Sequence, residues 1–327
     1  MAAPHETPAR TDALDDFALD LDRKGGANEV SVPDGLEREH VWINARVGVD
    51  GSYDAELEDH LPYDAYFALT ADETRPRVAP VAGGLLVVVR GVNFNAGAEP
   101  EDMVSLRMWL SGTRLVTTQR RRLRAVGDLA EHLRTGQGPD SVGELLLQLV
   151  DRLIERMAPL LEELDQHVDE LEDRAEVEAP AQVLRELATQ RRACIALRRH
   201  IAPTRDALSQ LAALAPKYLG EGTEWTAREL SDQVSRYVDD LDEVRDRAAI
   251  AQEFITSRQG DLLNRRMMIL SIVAAVFLPL GLVSGLLGMN VGGVPLQDSP
   301  DGFLWTCVAV AVLGALQFAA LKLVRWF

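Results

Sequence analysis

The chain has 327 residues, with 51 acidic against 34 basic side chains and a formal net charge of -17. That length accommodates two or three structural units, and the acidity excludes a nucleic-acid binder, because neutralising phosphates requires a basic face. Cys194 and Cys307 are the only cysteines, and the six histidines include no pair at i,i+3 or i,i+4 spacing, so neither a disulfide framework nor a Cys/His zinc cage can be built.

Residues 1–34 open with MAAPHETPARTDALDD, which has neither a basic n-region nor an apolar h-region. This polar stretch is expected to be a flexible tail that stays on the side of the membrane where it is made. Residues 35–140 alternate β-rich runs (HVWINARV, GLLVVVRGVNF, SLRMWLSGTRLVTTQ) with weakly helical pieces, the pattern of a cytoplasmic α/β domain with a small sheet. GxxxxGK[ST], GxGxxG, HExxH and GxSxG are all absent, so the reading is of a protein that is not an enzyme and needs no cofactor.

Residues 141–222 read as a helical hairpin. Leu146, Val150, Leu153, Met157, Leu160, Leu164 and Leu171 recur at helical spacing, and Pro159 should kink or restart that helix. A second helix, roughly Ala181 to Ile201, places Leu184, Leu187, Cys194 and Ile201 on one face. The tip around Val177–Pro180 is approached through Glu162, Glu163, Asp165, Asp169, Glu170, Glu172 and Asp173. Those carboxylates are either a solvated helix face or a collar that concentrates cations. Residues 223–266 form a stalk helix, with Leu230, Val234, Tyr237, Leu241, Val244, Ala248, Ala251 and Ile255 in alternating steps of four and three. Such a heptad seam lets several copies surround an axis.

The stalk runs on without a stop signal into MMILSIVAAVFLPLGLVSGLLG, which has no charged residue between Met267 and Gly288. A helix of that length, roughly 33 Å, crosses the hydrocarbon of a bilayer. Residues 267–289 are therefore the first membrane span, 290–302 a connecting loop, 303–323 a second span, and 324–327 a short tail. Arg265 and Arg266 precede the first span, Lys322 and Arg325 follow the second, and the loop carries Asp298 and Asp301 but no base. The positive-inside rule then puts both termini in the cytoplasm and the loop outside. Two spans cannot enclose a water-filled path alone, so an ion path requires several copies. Gly281 and Gly285, four apart, would permit close helix packing.

FLPLGLVSGLLGMN closing the first span and VGGVP opening the loop resemble the CorA superfamily of divalent-cation transporters, whose signature is Gly288-Met289-Asn290. The VGGVP loop, Glu73-Thr-Arg-Pro-Arg-Val78 and Ala202-Pro-Thr-Arg-Asp206 are most similar to its zinc-transporting ZntB branch. The resemblance implies a homopentameric funnel: a cytoplasmic α/β/α domain, a long helical stalk and two C-terminal transmembrane helices, the first lining the pore. It implies a selectivity motif at Gly288, Met289 and Asn290 and pore-facing positions at Asn264, Met267, Leu270, Leu278 and Gly281. A transient hydrated-ion site would lie at Asn290, with Asp298 and Asp301 drawing cations to the mouth. The implied function is Zn²⁺ transport across the inner membrane of a bacterium, with proton coupling as a further possibility. Mg²⁺ or Co²⁺ conduction is the alternative within the family, Ni²⁺ and Cd²⁺ being other candidate cargoes. A non-conducting, membrane-anchored coiled-coil scaffold or sensor is the alternative of another class.

Overall fold

The computed structural model describes residues 16–47, 55–72, 75–99, 101–175, 180–289, 295 and 300–323. The chain divides into two compact units, Met1–Gln252 and Glu253–Phe327.

The first unit is built on a seven-stranded sheet ordered β2-β1-β3-β7-β6-β5-β4. Its strands are β1 Phe17–Leu21, β2 Ala27–Val30, β3 Val41–Arg46, β4 Arg77–Val81, β5 Gly84–Gly91, β6 Val104–Ser111 and β7 Arg114–Gln119. Only β3 and β7 pair in parallel; the other neighbours are antiparallel. The β4–β5 hairpin turns on Ala82 and Gly83, both at positive φ (48° and 78°), the conformation of a two-residue type I′ turn whose twist matches its strands. β5 reads GLLVVVRG and is buried along nearly its whole length, because both faces of the sheet are covered. On one face Leu86 and Val88 join Ile43, Val116 and Trp109 in a core with Leu57, Leu61, Ala65 and Leu69. These last come from α2 Ala55–His60, α3 Tyr63–Thr70 and, at Leu61, the link between them, beside the short α1 Val32–Leu36. On the other face α5 Val142–Glu155 packs so close that a Cβ on Gly91 would lie 2.5 Å from Leu153.

The expected flexible tail over 1–34 is corrected from residue 16 onward, residues 1–15 lying outside the described residues. Phe17–Val30 supplies two strands, β1 pairing with β2 on one side and β3 on the other. FALDL is too short to stand out in a polar composition, yet Phe17, Ala18, Leu19 and Leu21 are all buried. Cross-strand pairing, not local propensity, decides it.

Beyond α4 Arg124–Arg134 and α5, the unit continues into α6 Ala158–Arg174 and α7 Pro180–Tyr218. Pro159 sits in the first turn of α6, where its missing N–H removes no helical bond, so it restarts a helix and kinks none. α7 runs well past the expected end near Ile201, with Pro203 and Pro216 inside it. Buried Ile201, Thr204, Ala207, Leu208 and Leu211 hold the helix on both sides of Pro203, and this packing outweighs the lost backbone bond. The segment Gly220–Gly222, both glycines at positive φ, then turns the chain into α8 Thr223–Leu287, one helix of 65 residues, roughly 100 Å long.

One glycine marks a tight junction in this unit. A Cβ at Gly143 would lie 2.2 Å from the Leu219 carbonyl oxygen, a backbone atom that cannot swing away. Gly143→Ala is expected to cost about 2–3 kcal/mol through overpacking. Chemical denaturation should show a lowered midpoint at unchanged slope.

The second unit holds the remainder of α8 and α9 Gly302–Leu323. The apolar windows in both helices meet the length and composition of membrane spans, and neither window is buried within the chain.

Candidate cation pathway

Leu230, Val234, Leu241, Val244, Ala248 and Ala251 are buried, as is Val238. Tyr237, expected on the seam, is half-buried and accepts a hydrogen bond from Gln233 Nε2 at 2.9 Å. Helical steps of three and four drift across the heptad, so position 238 replaces 237. More consequentially, the neighbours on this part of α8 are in the same chain. Ser231 Oγ meets Ser209 Oγ at 2.9 Å, Asp242 pairs with Arg198 of α7 at 2.8 Å, and Gln252 Nε2 reaches the Leu184 carbonyl at 3.4 Å. The seam read as a device for joining copies is thus largely consumed by α6 and α7, because three antiparallel helices bury an apolar stripe as well as three parallel copies do.

The acidic collar is likewise partly neutralised. Asp165, Asp169 and Glu172 recur at steps of four and three along α6, which stacks them on one face. All three pair with Arg247 of α8: Nη1 with Asp165 at 2.8 Å, and Nη2 with Glu172 at 2.8 Å and with Asp169. Hydrogen bonds to Glu172 and Asp169 drive the Arg247 pKa upward. The i,i+4,i+7 spacing was visible in sequence, but its basic partner lies 75 to 82 residues away. Glu162, Glu163, Glu170 and Asp173 remain exposed. Glu162 and Asp165 line a cleft of about 250 Å³ between α6 and α8 with Asp240 and Glu243. Burial, then the like charges of Glu243, Asp239 and Asp165, raise the Asp240 pKa. Among the described residues no group of three or more His, Cys, Asp or Glu is arranged to hold a metal ion.

In the second unit, α8 is asymmetric around its circumference. Ile272, Val276, Pro279, Leu280, Val283 and Leu287 are half-buried, a stripe at helical spacing. On α9 the half-buried residues are Gly302, Thr306, Val310, Leu313, Gly314 and Gln317. A Cβ added to Gly314 would lie 4.0 Å from Leu280 Cδ1, so the stripes approach each other there. At about 100° per residue, Met267, Leu270, Leu278, Gly281 and Gly288 fall on the opposite side of α8, with Asn264 toward its margin. Met267, Leu270 and Leu278 are 63%, 70% and 74% exposed, and Asn264 and Gly281 are exposed as well. Nothing wide stands at Gly281: a Cβ there meets no atom within 4 Å.

The helix ends at the signature. Gly288 N–H donates to the Ser284 carbonyl at 3.0 Å and Met289 N–H to Leu286 at 3.5 Å. A Cβ at Gly288 would press on the Ser284 carbonyl oxygen at 3.1 Å, which explains a glycine where the last turn tightens. Met289 is exposed. Asn290 and Asp298 lie outside the described residues, whereas Asp301 is exposed just before α9 and its carbonyl accepts from Trp305 N–H at 3.1 Å.

Residues 40–323 match the family model described as CorA-like Mg²⁺ transporter protein. The chain belongs to the CorA-like family. Among curated CorA-like relatives, the divalent cation transporter CmaX of Pseudomonas aeruginosa is 36% identical over 308 residues, covering 93% of this chain and 92% of that protein. The zinc transport protein ZntB of Yersinia enterocolitica is 31% identical over 301 residues, 91% of each chain. The solved structure of full-length CmaX superposes with a TM-score of 0.81 at 34% identity over 95% of this chain and 97% of that one. The CorA magnesium transporter of Methanocaldococcus jannaschii shares the fold, with a TM-score of 0.77 at 18% identity over 96% and 99% of the two chains. The α/β unit, long helix and two candidate C-terminal membrane helices are therefore those of the CorA fold.

Proposed function

We propose that this chain carries divalent cations across a membrane as a homopentameric funnel, with the face of α8 opposite α9 lining the path and Zn²⁺ as the preferred cargo. The observation that carries this reading is that uncovered face. Met267, Leu270 and Leu278 stand 63–74% exposed in a single chain, on a helix whose other side is occupied by the α9 stripe. Lipid covers an apolar face by itself, but two spans cannot enclose a water-filled path, so carrying an ion requires further copies, and a ring of the faces turned away from α9 leaves an axial path.

In that ring Leu278, Leu270 and Met267 form apolar constrictions able to gate by dewetting, and Asn264 a polar inner ring. Gly281 widens the bore between them. At the outer mouth Gly288, Met289 and Asn290 form the selectivity collar. Neutral amide oxygens on Asn290 hold a hydrated divalent ion loosely enough to release it, and Asp298 and Asp301 enrich cations outside. The membrane is the inner membrane of a bacterium, both termini being cytoplasmic. The likeness to CmaX and ZntB supports transport, and ZntB supports zinc; the family description keeps Mg²⁺ as the second cargo.

Proteoliposomes loaded with a zinc-sensitive or a magnesium-sensitive dye test the assignment. Zn²⁺ entry, accelerated by an opposing or aligned pH gradient if protons are coupled, is the expected result. Mg²⁺ entry without Zn²⁺ entry would replace the cargo, and no flux of either would return the protein to a scaffold or sensor. Native mass spectrometry in detergent should give five copies.

A further inference from the structure

The second unit holds one carboxamide that its surroundings leave unanswered. Between Met267 and Gly288 and between Phe303 and Leu321, the hydroxyl and amide side chains are those of Ser271, Ser284, Thr306 and Gln317. Ser284 and Thr306 are satisfied within their own helices, donating to the Gly281 carbonyl at 3.2 Å and the Gly302 carbonyl at 2.9 Å. Gln317 differs. It is half-buried, and its Oε1 is enclosed with no hydrogen-bond partner among the described residues. An amide edge stranded in this way is costly where no water reaches it. The facing helix has the complementary defect. Pro279 lies inside α8 and brings no N–H, so the Ala275 carbonyl loses the donor that an unbroken helix would give it. Between apolar spans, a carbonyl freed by proline is answered by a neighbouring helix, a hydroxyl or water. Pro279 is half-buried on the stripe of α8 that approaches α9, so the freed carbonyl lies at the margin of that contact. Gly314 marks the contact on α9, a Cβ there standing 4.0 Å from Leu280 Cδ1. Gln317 follows on the same stripe of α9, three residues and about 4.5 Å further along the axis. In an antiparallel hairpin that step leads toward the residues of α8 that precede Leu280.

We propose that Gln317 is a positioning residue for α8: its Nε2 donates to the Ala275 carbonyl released by Pro279, forming a polar latch between the two spans. A half-turn of the last side-chain torsion exchanges Oε1 for Nε2. The middle of a helix presents carbonyls but no free N–H groups, so the Nε2 edge is the one that α8 can answer. The latch rests on the membrane hairpin of the proposed function and adds to it a residue that stands outside the ion path. Pro279 sits between Leu278 and Gly281, two of the proposed lining positions. A proline bends its helix, and the direction of that bend sets how Leu278 and Gly281 are presented to the axis. Holding the freed carbonyl from the α9 side fixes the direction.

A double-substitution cycle on the full chain tests the latch. Unfolding from mild detergent by added dodecyl sulfate is followed by circular dichroism for wild type, Gln317→Met, Pro279→Ala and the double variant. Methionine keeps the unbranched length of glutamine without its donor, and alanine returns the missing N–H to the Ala275 carbonyl. Gln317→Met is expected to raise the unfolding equilibrium constant at least about threefold more in the native background than after Pro279→Ala. Comparing the two backgrounds removes the general effect of exchanging an amide for a thioether. A smaller ratio would overturn the proposal. Pro279→Leu restores the same N–H and takes the place of Pro279→Ala should that variant fail to assemble. Divalent-cation flux in proteoliposomes is the second readout. Gln317→Met is expected to change it by about threefold or more when Pro279 is present, and by less than that when it is replaced. An equal change in both backgrounds would make Gln317 a packing residue only and overturn the latch. If the wild type carries no ion, the transport reading falls while the unfolding cycle still decides the latch.

Discussion

Replacing Asn290 with alanine is expected to cut divalent-cation flux in proteoliposomes by at least about tenfold, while the protein still folds and assembles. Asn290 follows directly on the last turn of α8, after Gly288 and Met289. In the proposed ring of five copies one substitution removes five amide oxygens from a single level of the path. Alanine supplies no oxygen to hold the hydrated cation at the mouth, so the barrier to entry rises. Asn290→Asp is the informative companion. It keeps the oxygens but adds five negative charges, so entry should persist with stronger retention of the ion and altered choice among Zn²⁺, Mg²⁺ and Co²⁺. Dye-based flux alongside size-exclusion chromatography separates loss of transport from loss of assembly. Full flux with Asn290→Ala would remove the signature from the proposed mechanism and favour the scaffold reading.

Arg247→Ala is expected to destabilise the first unit by about 2 kcal/mol. Its side chain is 28% exposed, and it holds Asp165, Asp169 and Glu172 together. An isolated surface pair would contribute little. Here one guanidinium separates three carboxylates on adjacent turns of α6, so its loss removes three charge-assisted bonds and leaves like charges facing each other. Thermal unfolding in detergent should fall by roughly 4 °C, more at low salt than at high salt because screening weakens the repulsion. Arg247→Lys should recover only part of this, since an ammonium lacks the planar fork that serves several carboxylates. Combining Arg247→Ala with Asp165→Asn and Asp169→Asn should restore stability by removing the repulsion. An unchanged midpoint in Arg247→Ala would mean the network is merely a solvated surface.

The parts of the candidate site that were legible are those written in local order. The uncharged run from Met267, the basic flanks and Gly288-Met289-Asn290 all lie within a few turns of one another, and membrane hydropathy and a contiguous motif need no knowledge of distant neighbours. The helical face of Met267, Leu270, Leu278 and Gly281 also follows from 3.6-residue periodicity. Which side of α8 is left free does not, because that depends on where α9 returns, and Gly314 beside Leu280 is a contact between helices. Arg247 illustrates the same limit. Its carboxylate partners are periodic on their own helix, but nothing nearby in sequence pairs them with a base 75 to 82 residues later. The cavity of the first unit where Arg90, Arg107, Arg120 and Arg199 meet is harder still to read, since those residues are scattered through a chain in which arginine is the common base.

By itself, then, the sequence determined the two candidate membrane spans, the continuity of the helix leading into the first, the strand-rich character of the N-terminal half and the CorA likeness. Each rests on hydropathy, short periods or contiguous residues. Tertiary structure alone decided that Phe17–Val30 joins the sheet, that α7 passes through Pro203, and that the stalk seam turns inward onto α6 and α7. It also decided that acidic residues of the hairpin are spent on Arg247 while arginines of the sheet gather at one cavity. The physical reason is common to all of them: burial and ion pairing depend on which surfaces meet, and those meetings are made between segments tens of residues apart.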